Sequence, residues 1–299
     1  MKRIAIAAAV MALAGCSRQP AESPKPEEKP AVFQACGAEF ATGRREFKFD
    51  GVVHWLAYPA DFKDGKPVFT EDDITMTLAP LTSDDTLTMR NIKKIVLDPG
   101  HGGKQPGAVV GSTEEKILNL DIAKRVEELL KKRGFTVVMT RTDDRDLELA
   151  PRAAVPAACG ADLFVSIHCN AAPTPALKGI ECFSITPRGA RPSNDDGSLP
   201  PPDPNEETTG YACTADSFAL ASALQSRLIK STGATDRGTK RARFRVLYSN
   251  TVPAALVECG FMTNTDDAKL LADPSYRQLL AESIASGIAD FAARVSPIK

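Results

Sequence analysis

The chain has 299 residues, of which 43% are hydrophobic and 25% charged, enough to bury an ordinary core and unlike a collagen-like or broadly disordered sequence. That length fits one main domain with a smaller piece. Lys and Arg number 37 against 38 Asp and Glu, a net charge of −1, so no overall electrostatic attraction draws the chain to nucleic acid or another polyanion.

Met1-Lys2-Arg3 is basic, and the apolar run from Ile4 to Leu13 is far shorter than the roughly 20 residues a membrane-spanning helix needs. Residues 1–15 therefore read as a secretory signal peptide. The run ends in Leu13-Ala14-Gly15-Cys16, which resembles the lipobox of bacterial lipoproteins. That resemblance implies a lipidated Cys16 as the new N-terminus, with the chain anchored to a membrane on the periplasmic side of the cell envelope. The competing reading is an ordinary soluble signal peptide with an incidental cysteine. Residues 16–30 are rich in Pro, Glu and Lys with almost nothing apolar, the composition of an extended tether that cannot repay the entropy of folding. The other six cysteines, Cys36, Cys159, Cys169, Cys182, Cys213 and Cys259, would then lie in an oxidising compartment. Cys182 and Cys213 bracket a polar loop and are the first expected disulfide pair. None of these spacings is CxxC-like, which disfavours a four-cysteine zinc site.

Residues 31–90 carry short alternating segments, Val52-Val53-His54-Trp55-Leu56 and Ile74-Thr75-Met76-Thr77-Leu78, between Asp, Gly and Pro turns, and predict a small β-rich module. His54 reads as structural there. From Ile92 the pattern changes to strands alternating with helices, predicting an α/β domain over residues 91–297 with a mainly parallel sheet flanked by helices. Strands are expected at Ile95–Leu97, Phe135–Met139, Leu163–Ile167, Gly179–Ile185 and Ala254–Glu258. Helices are expected from Ser112 to Gly134, around Arg152–Cys159, and over Ser217–Thr232 and Tyr276–Val295. Between Pro187 and Gly210 the sequence is polar, with three consecutive prolines after Leu199, and predicts an exposed loop.

Only three histidines occur, and two of them sit at strand ends. His101 follows the first α/β strand in Leu97-Asp98-Pro99-Gly100-His101-Gly102-Gly103, His168 ends Phe164-Val165-Ser166-Ile167-His168, and Glu258 ends Ala255-Leu256-Val257-Glu258. In open α/β sheets the crevice outside the carboxyl ends of the strands is where ligands bind. Two histidines and a carboxylate form the ligand set of many catalytic zinc sites, and Glu115, in the first turn of the helix after the His101 loop, is a candidate for that carboxylate. Glu258 would then be free as a general base beside zinc-activated water. Against this, Ser112 to Glu115 spells an S-x-x-E capping box, in which Glu115 would bond back to its own helix end. The residues alone leave the two readings of Glu115 even.

Taken together, Leu97-Asp98-Pro99-Gly100-His101-Gly102-Gly103, Glu115-Lys116, Ser166-Ile167-His168-Cys169-Asn170, Asp236-Arg237-Gly238-Thr239-Lys240 and Leu256 to Asn264 resemble the zinc-dependent N-acetylmuramoyl-L-alanine amidases of the type 3 class, over about Ile92 to Phe291. The resemblance implies a mixed, mostly parallel sheet flanked by helices, Zn2+ on His101, Glu115 and His168, and catalytic Glu258. It implies peptidoglycan as substrate, cut at the amide bond between N-acetylmuramic acid and L-alanine of the stem peptide, and it leaves room for an activating protein of unspecified identity. Three departures stand out. Cys169 and Cys259 replace the usual Ala and apolar residue, either as a disulfide or as packing. Pro156-Ala157 stands where Ala-Asn is usual and is expected to bend its helix. Lacking the long helical insert of some relatives, the loop from Pro187 to Gly210 predicts a more open site. Arg237, Lys240, Arg241, Arg243 and Arg245 form a basic cluster, of which one or two are expected to face the carboxylates of the stem peptide. Two rival readings are a zinc peptidase cutting within the stem and a catalytically idle wall-binding or activator protein.

Overall fold

The computed structural model describes residues 30–195 and 197–297. The expected signal peptide, Cys16 and nearly all of the tether lie outside the described residues.

Strands β1 (Val32–Ala35), β2 (Ala38–Ala41), β3 (Glu46–Phe49) and β4 (Val52–Trp55) form an antiparallel meander. Two of its turns have only two residues, Cys36-Gly37 with φ of 50° and 73° and Asp50-Gly51 with φ of 50° and 76°, the left-handed pair that a two-residue hairpin requires. Alternation puts Phe33, Phe40 and Phe47 on one face, where they bury with Leu56, Ala60 and Leu78. A hairpin of β5 (Asp61–Lys63) and β6 (Lys66–Val68) follows. Ile74–Leu78, expected as a strand, is instead one wide helical turn between α1 (Glu71–Asp73) and α2 (Ala79–Thr82). The helical reading wins because Thr70 caps the Asp73 amide at 3.1 Å. Asp73 and Thr77, four residues apart, turn inward together, and Asp73 receives the Ala57 and Tyr58 amides at 2.6 and 3.0 Å.

The remaining elements are β7 (Lys94–Pro99), a hairpin of β8 (Val109–Val110) and β9 (Thr113–Glu114), α3 (Glu115–Lys132), β10 (Thr136–Met139), α4 (Leu149–Cys159), β11 (Leu163–Asn170), β12 (Ile180–Ile185), α5 (Thr214–Thr232), β13 (Asp236–Ala242), α6 (Arg245–Tyr248), β14 (Ala254–Phe261), α7 (Thr265–Ala272) and α8 (Pro274–Arg294). Ten strands make one sheet in the order β1-β2-β3-β4-β13-β12-β14-β11-β7-β10. β10, β7, β11 and β14 run parallel, β12 is antiparallel to β14, and β13 is parallel to β12. This is the mixed, mostly parallel sheet expected. The N-terminal meander continues it, because β4 pairs with β13 through Thr239 and His54.

Both faces of the central strands are covered, which is why they read as unbroken apolar runs. Ile95, Leu97, Val165, Ile167 and Val257 pack under α3, α5 and α8, while Val96, Phe164, Phe183 and Leu256 face the side of α4 and α6. Among the described residues, no helix is long and apolar enough to cross a membrane.

Several local expectations change. α3 starts at Glu115 rather than Ser112, because Gly111 (φ 61°) turns the chain into the β8–β9 hairpin first. β13 and α7 escaped the sequence reading, since β13 carries Arg237, Lys240 and Arg241 where an apolar run would have marked a strand. α4 continues through Pro156 and ends at Gly160 in the left-handed conformation. Residues after Pro187 do not form a wholly exposed loop: Ala190 is buried, Arg45 donates to the Arg191 and Pro192 carbonyls at 3.0 and 3.2 Å, and the Ser193 amide reaches Arg241 O at 2.7 Å. Cys182 and Cys213 are free thiols, not a disulfide, with Cys182 in the core under α5 and Cys213 bonded to the Thr251 carbonyl at 3.7 Å. Cys169 and Cys259 are likewise free and buried, packed against each other in that core.

Candidate active site

His101 is delivered by the loop after β7, His168 and Glu258 by the C-terminal halves of β11 and β14, and Glu115 by the first residue of α3. His168 and Glu258 are direct partners across the parallel ladder. Glu115 Oε2 lies 3.3 Å from His101 Nε2, and its Oε1 lies 3.0 Å from His168 Nδ1. The two imidazoles meet edge to face with centroids 5.0 Å apart. One donor atom from each of the three residues falls within 4.8 Å of the others, a spacing that suits a shared metal ion.

The capping-box reading of Glu115 is not what the structure shows. No side chain caps the start of α3, and the Glu115 carboxylate instead takes the Ala108 amide at 2.9 Å, the Cys169 amide at 3.2 Å and Asn119 Nδ2 at 3.0 Å. Burial would push this carboxyl up, but the hydrogen bonds and charges of His101 and His168 outweigh it and hold the group well below the usual carboxylate range. Glu115 is therefore a fixed anion between two imidazoles.

The His101 loop is held from behind by two buried arginines. Arg141 donates to the Pro99, Gly100 and Lys116 carbonyls at 2.9, 2.8 and 2.8 Å. Arg152 donates to Pro99 O at 2.8 Å and to the His101 carbonyl, and forms an ion pair with Asp98 at 2.8 Å, both partners being almost fully buried. Asp98 is completed by Thr140 at 2.6 Å and Ser166 at 2.8 Å. This clamp sets His101 in a left-handed backbone, φ 60°, rare for a residue other than glycine. Glycines make room: a Cβ on Gly100 would sit 2.1 Å from the His168 ring, and one on Gly107 2.4 Å from Glu115 Oε2.

Glu258 stands beside these groups in a cleft of about 310 Å³ that His101, His168, Gln105, Leu149, Phe244 and Arg245 help to line. Its Oε2 is sealed from solvent and has no hydrogen-bond partner among the described residues. Burial, then the charges of Glu115 and Glu181, push its carboxyl well above the usual range. An unpaired carboxyl whose affinity for a proton has been raised is suited to accepting one from a substrate.

Arg141, Arg152, Asp98, Asn119 and Glu181 were missed as supports of the site. Nothing local separates buried Arg141 from exposed Arg145 in the same loop; only the folded backbone places one against the Pro99 and Gly100 carbonyls. Glu181 accepts Asn170 Nδ2 at 2.9 Å, Arg237 at 2.9 Å and Lys240 at 2.6 Å, which accounts for two members of the basic cluster. None of the described residues of the segment 187–208 lines the cleft.

Two imidazoles and a carboxylate at the C-terminal ends of a mostly parallel sheet, with an unpaired glutamate beside them, make a donor set of the kind found in metal-dependent hydrolases built on α/β layers. The model of the Amidase_3 family, N-acetylmuramoyl-L-alanine amidase, matches residues 95–290, about two thirds of the chain, and the chain belongs to that family. It is 36% identical over 196 residues to YqiI of Bacillus subtilis, an uncharacterized protein, covering 66% of this chain and 83% of YqiI. Identity is 31% over 217 residues to the amidase AmiA of Escherichia coli, covering 66% and 75%. The match to LytC of Bacillus subtilis, 36% over 200 residues, spans only 35% of that amidase. Among solved structures, the amidase of Clostridium difficile 630 superposes with a TM-score of 0.56 at 32% identity, covering 68% of this chain and 97% of that one. The CwlD amidase of Clostridioides difficile, solved in complex with the GerS lipoprotein, gives 0.56 at 30% identity, covering 67% and 98%.

Proposed function

We propose that the chain hydrolyses the amide bond joining N-acetylmuramic acid to the L-alanine of the peptidoglycan stem, with His101, Glu115 and His168 holding a zinc ion and Glu258 as general base. The observation that carries the reading is the meeting of three donor atoms within 4.8 Å next to Glu258, the ladder partner of His168. The residues fit a metal: two imidazoles and one carboxylate are a common catalytic zinc set, and the glycines at 100 and 107 leave the space free. Bound there, zinc would supply Lewis acidity to the scissile carbonyl and to the attacking water.

The protein's own groups do the rest. Arg141, Arg152 and Asp98 hold the His101 loop in place. Glu115 keeps its negative charge and orients both imidazoles. Glu258 takes a proton from the attacking water and returns it to the departing nitrogen of L-alanine, so that the amine leaves neutral and the carboxyl is reset. Phe244, Val246, Leu149 and Leu256 form an apolar wall that shields this exchange from bulk solvent on one side.

Lipid attachment at Cys16 and residence on the periplasmic side of the envelope complete the reading, supported by Leu13-Ala14-Gly15-Cys16 and the tether of residues 16–30. A tether would confine cutting to wall near the membrane. An activating protein is also compatible with the cleft.

The test is digestion of purified peptidoglycan by the zinc-loaded protein, with products identified by mass spectrometry and Glu258→Gln as control. Free stem peptides beginning with L-alanine, absent with the variant, support the amidase. Fragments cut inside the stem would make it a peptidase, and no release in the presence of zinc would leave a binding protein. Labelling with radioactive palmitate, lost in Cys16→Ser, checks the anchor.

A further inference from the structure

Of the five basic residues between Arg237 and Arg245, the fold employs four. Arg237 and Lys240 neutralise Glu181 at 2.9 and 2.6 Å. Arg241 is fully buried and donates to Ile185 O at 3.2 Å, and to Met76 O and Thr77 Oγ1 at 2.7 Å each. Arg243 points away from the cleft, donating to Ala190 O at 3.1 Å and pairing with Glu206 at 3.3 Å. Arg245 is the remaining one. It is exposed, makes no side-chain hydrogen bond or ion pair among the described residues, and lines the same cleft as His101, His168 and Glu258.

Its surroundings define what it would take. Of the two acidic residues lining the cleft, Asp98 is consumed by Arg152, Thr140 and Ser166, and Glu258 has no ion pair. The backbone beneath Arg245 is fixed, because Leu247 and Tyr248 both return their amides to Phe244 O, at 2.9 and 2.8 Å. Phe244, Val246, Leu149 and Leu256 supply a low-polarity wall beside it. An unpaired guanidinium carried on a fixed backbone beside an apolar wall is a receptor for a carboxylate, which it can grip through two parallel N–H···O bonds.

We infer that Arg245 is a specificity residue that binds a free carboxylate of the peptide arm on the departing side of the scissile amide. The preferred substrate is therefore a stem whose residue after L-alanine carries a carboxylate rather than a carboxamide. This inference rests on the amidase reading. Replacing the carboxylate by a carboxamide removes the charge and one acceptor, so the matched contact is lost while the reacting amide is untouched.

The experiment uses the full chain loaded with zinc and two synthetic muramoyl peptides, identical except for a carboxylate or a carboxamide on the residue following L-alanine. Wild type, Arg245→Ala and Arg245→Lys are compared by kcat/KM. Wild type is expected to favour the carboxylate substrate by about tenfold or more, mainly through KM. Arg245→Ala loses that preference and Arg245→Lys keeps part of it, since an ammonium supplies the charge without the paired geometry. Binding of the two product peptides, followed by calorimetry, should show the same pattern. Equal kcat/KM for both substrates in wild type, or a preference that survives in Arg245→Ala, overturns the inference and leaves the amidase reading standing. Failure of wild type to release an L-alanine peptide from either substrate overturns both.

Discussion

Glu258 on β14 stands directly across the antiparallel ladder from Glu181 on β12, two carboxylates facing each other on the side of the sheet that carries the cleft. Glu181 is neutralised by Arg237 and Lys240, whereas Glu258 Oε2 has no hydrogen-bond partner among the described residues. The pair thus divides into a compensated charge and a carboxyl kept receptive to a proton.

Glu258→Gln should reduce turnover by at least about 100-fold, the usual size of a general-base contribution. In the metal-free protein the same change should raise the melting temperature at neutral pH. The sign follows from the folded carboxyl lying above its unfolded value: its contribution to stability is fully present below the unfolded pKa, about 4.3, and is lost as pH rises through the folded value. The gain from Gln should therefore vanish in acid. Thermal melts of both proteins across pH 4 to 8 measure it, and a gap that widened in acid would contradict this assignment.

Removing the charge of Glu181 takes away one of the influences that raise Glu258. Glu181→Gln should shift the acid limb of the pH–rate profile to lower pH. An unmoved limb would mean that burial and the charge of Glu115 set the proton affinity of Glu258 without help from Glu181.

Gly100→Ala should abolish metal binding while leaving the sheet intact, because the added methyl would lie 2.1 Å from the His168 ring. Zinc content after dialysis, read beside far-ultraviolet circular dichroism, is the check. A variant that retains stoichiometric zinc would show that the His101 loop yields more easily than its arginine clamp suggests.

Breaking the Asp98–Arg152 pair should be costly in both stability and activity. Removing one partner of a buried pair leaves a bare charge, at a cost of about 3–5 kcal/mol. Arg152→Ala also releases the His101 carbonyl, so zinc affinity should fall about 10- to 100-fold. Urea titration and a zinc competition assay give the two numbers, and an effect on stability with unaltered zinc affinity would reduce the pair to a structural role.

His54, buried among Phe47, Phe49 and Phe218 where β4 joins β13, should make the fold acid-sensitive. Burial drives its pKa down from 6.5 to about 3, against a hydrogen bond to the Phe49 backbone and the charge of Asp50, which raise it. The folded value is depressed, so stability is present above the unfolded pKa and declines as pH falls from 6.5 toward 3, by an amount on the order of a few kcal/mol. His54→Phe should flatten the dependence in that window, as followed by denaturant titration at each pH.

How far the sequence alone reached can be traced through particular residues. The strands at Ile95, Leu163 and Ala254 were legible because a sheet covered on both faces needs unbroken apolar runs. His101, His168 and Glu258 were legible because each closes or follows such a run, at the end of the sheet where ligands bind. β13 was not, since its Arg237, Lys240 and Arg241 look like a solvated patch until Glu181, Thr77 and the Ile185 carbonyl arrive from elsewhere in the chain. Ile74–Leu78 misled by alternating in sequence while Asp73 and Thr77 obeyed a helical spacing.

By itself, then, the sequence determined the α/β order, the covered sheet and the identities of the residues that meet at the C-terminal ends of its strands, because these follow from local periodicity and from chemical type. Which partner each polar group would take was left to the tertiary structure. Glu115 had an equal claim to cap its own helix, and it became the anion between two imidazoles only because the β8–β9 hairpin delays the start of α3 and turns the carboxylate toward His101 and His168. Arg243 and Arg245 are two residues apart and alike in charge, yet Ala190 and Glu206 occupy the first while the second faces the cleft. Charge is written in the chain, but whether it is spent on the fold or left free for a substrate depends on which distant groups folding brings within hydrogen-bond reach.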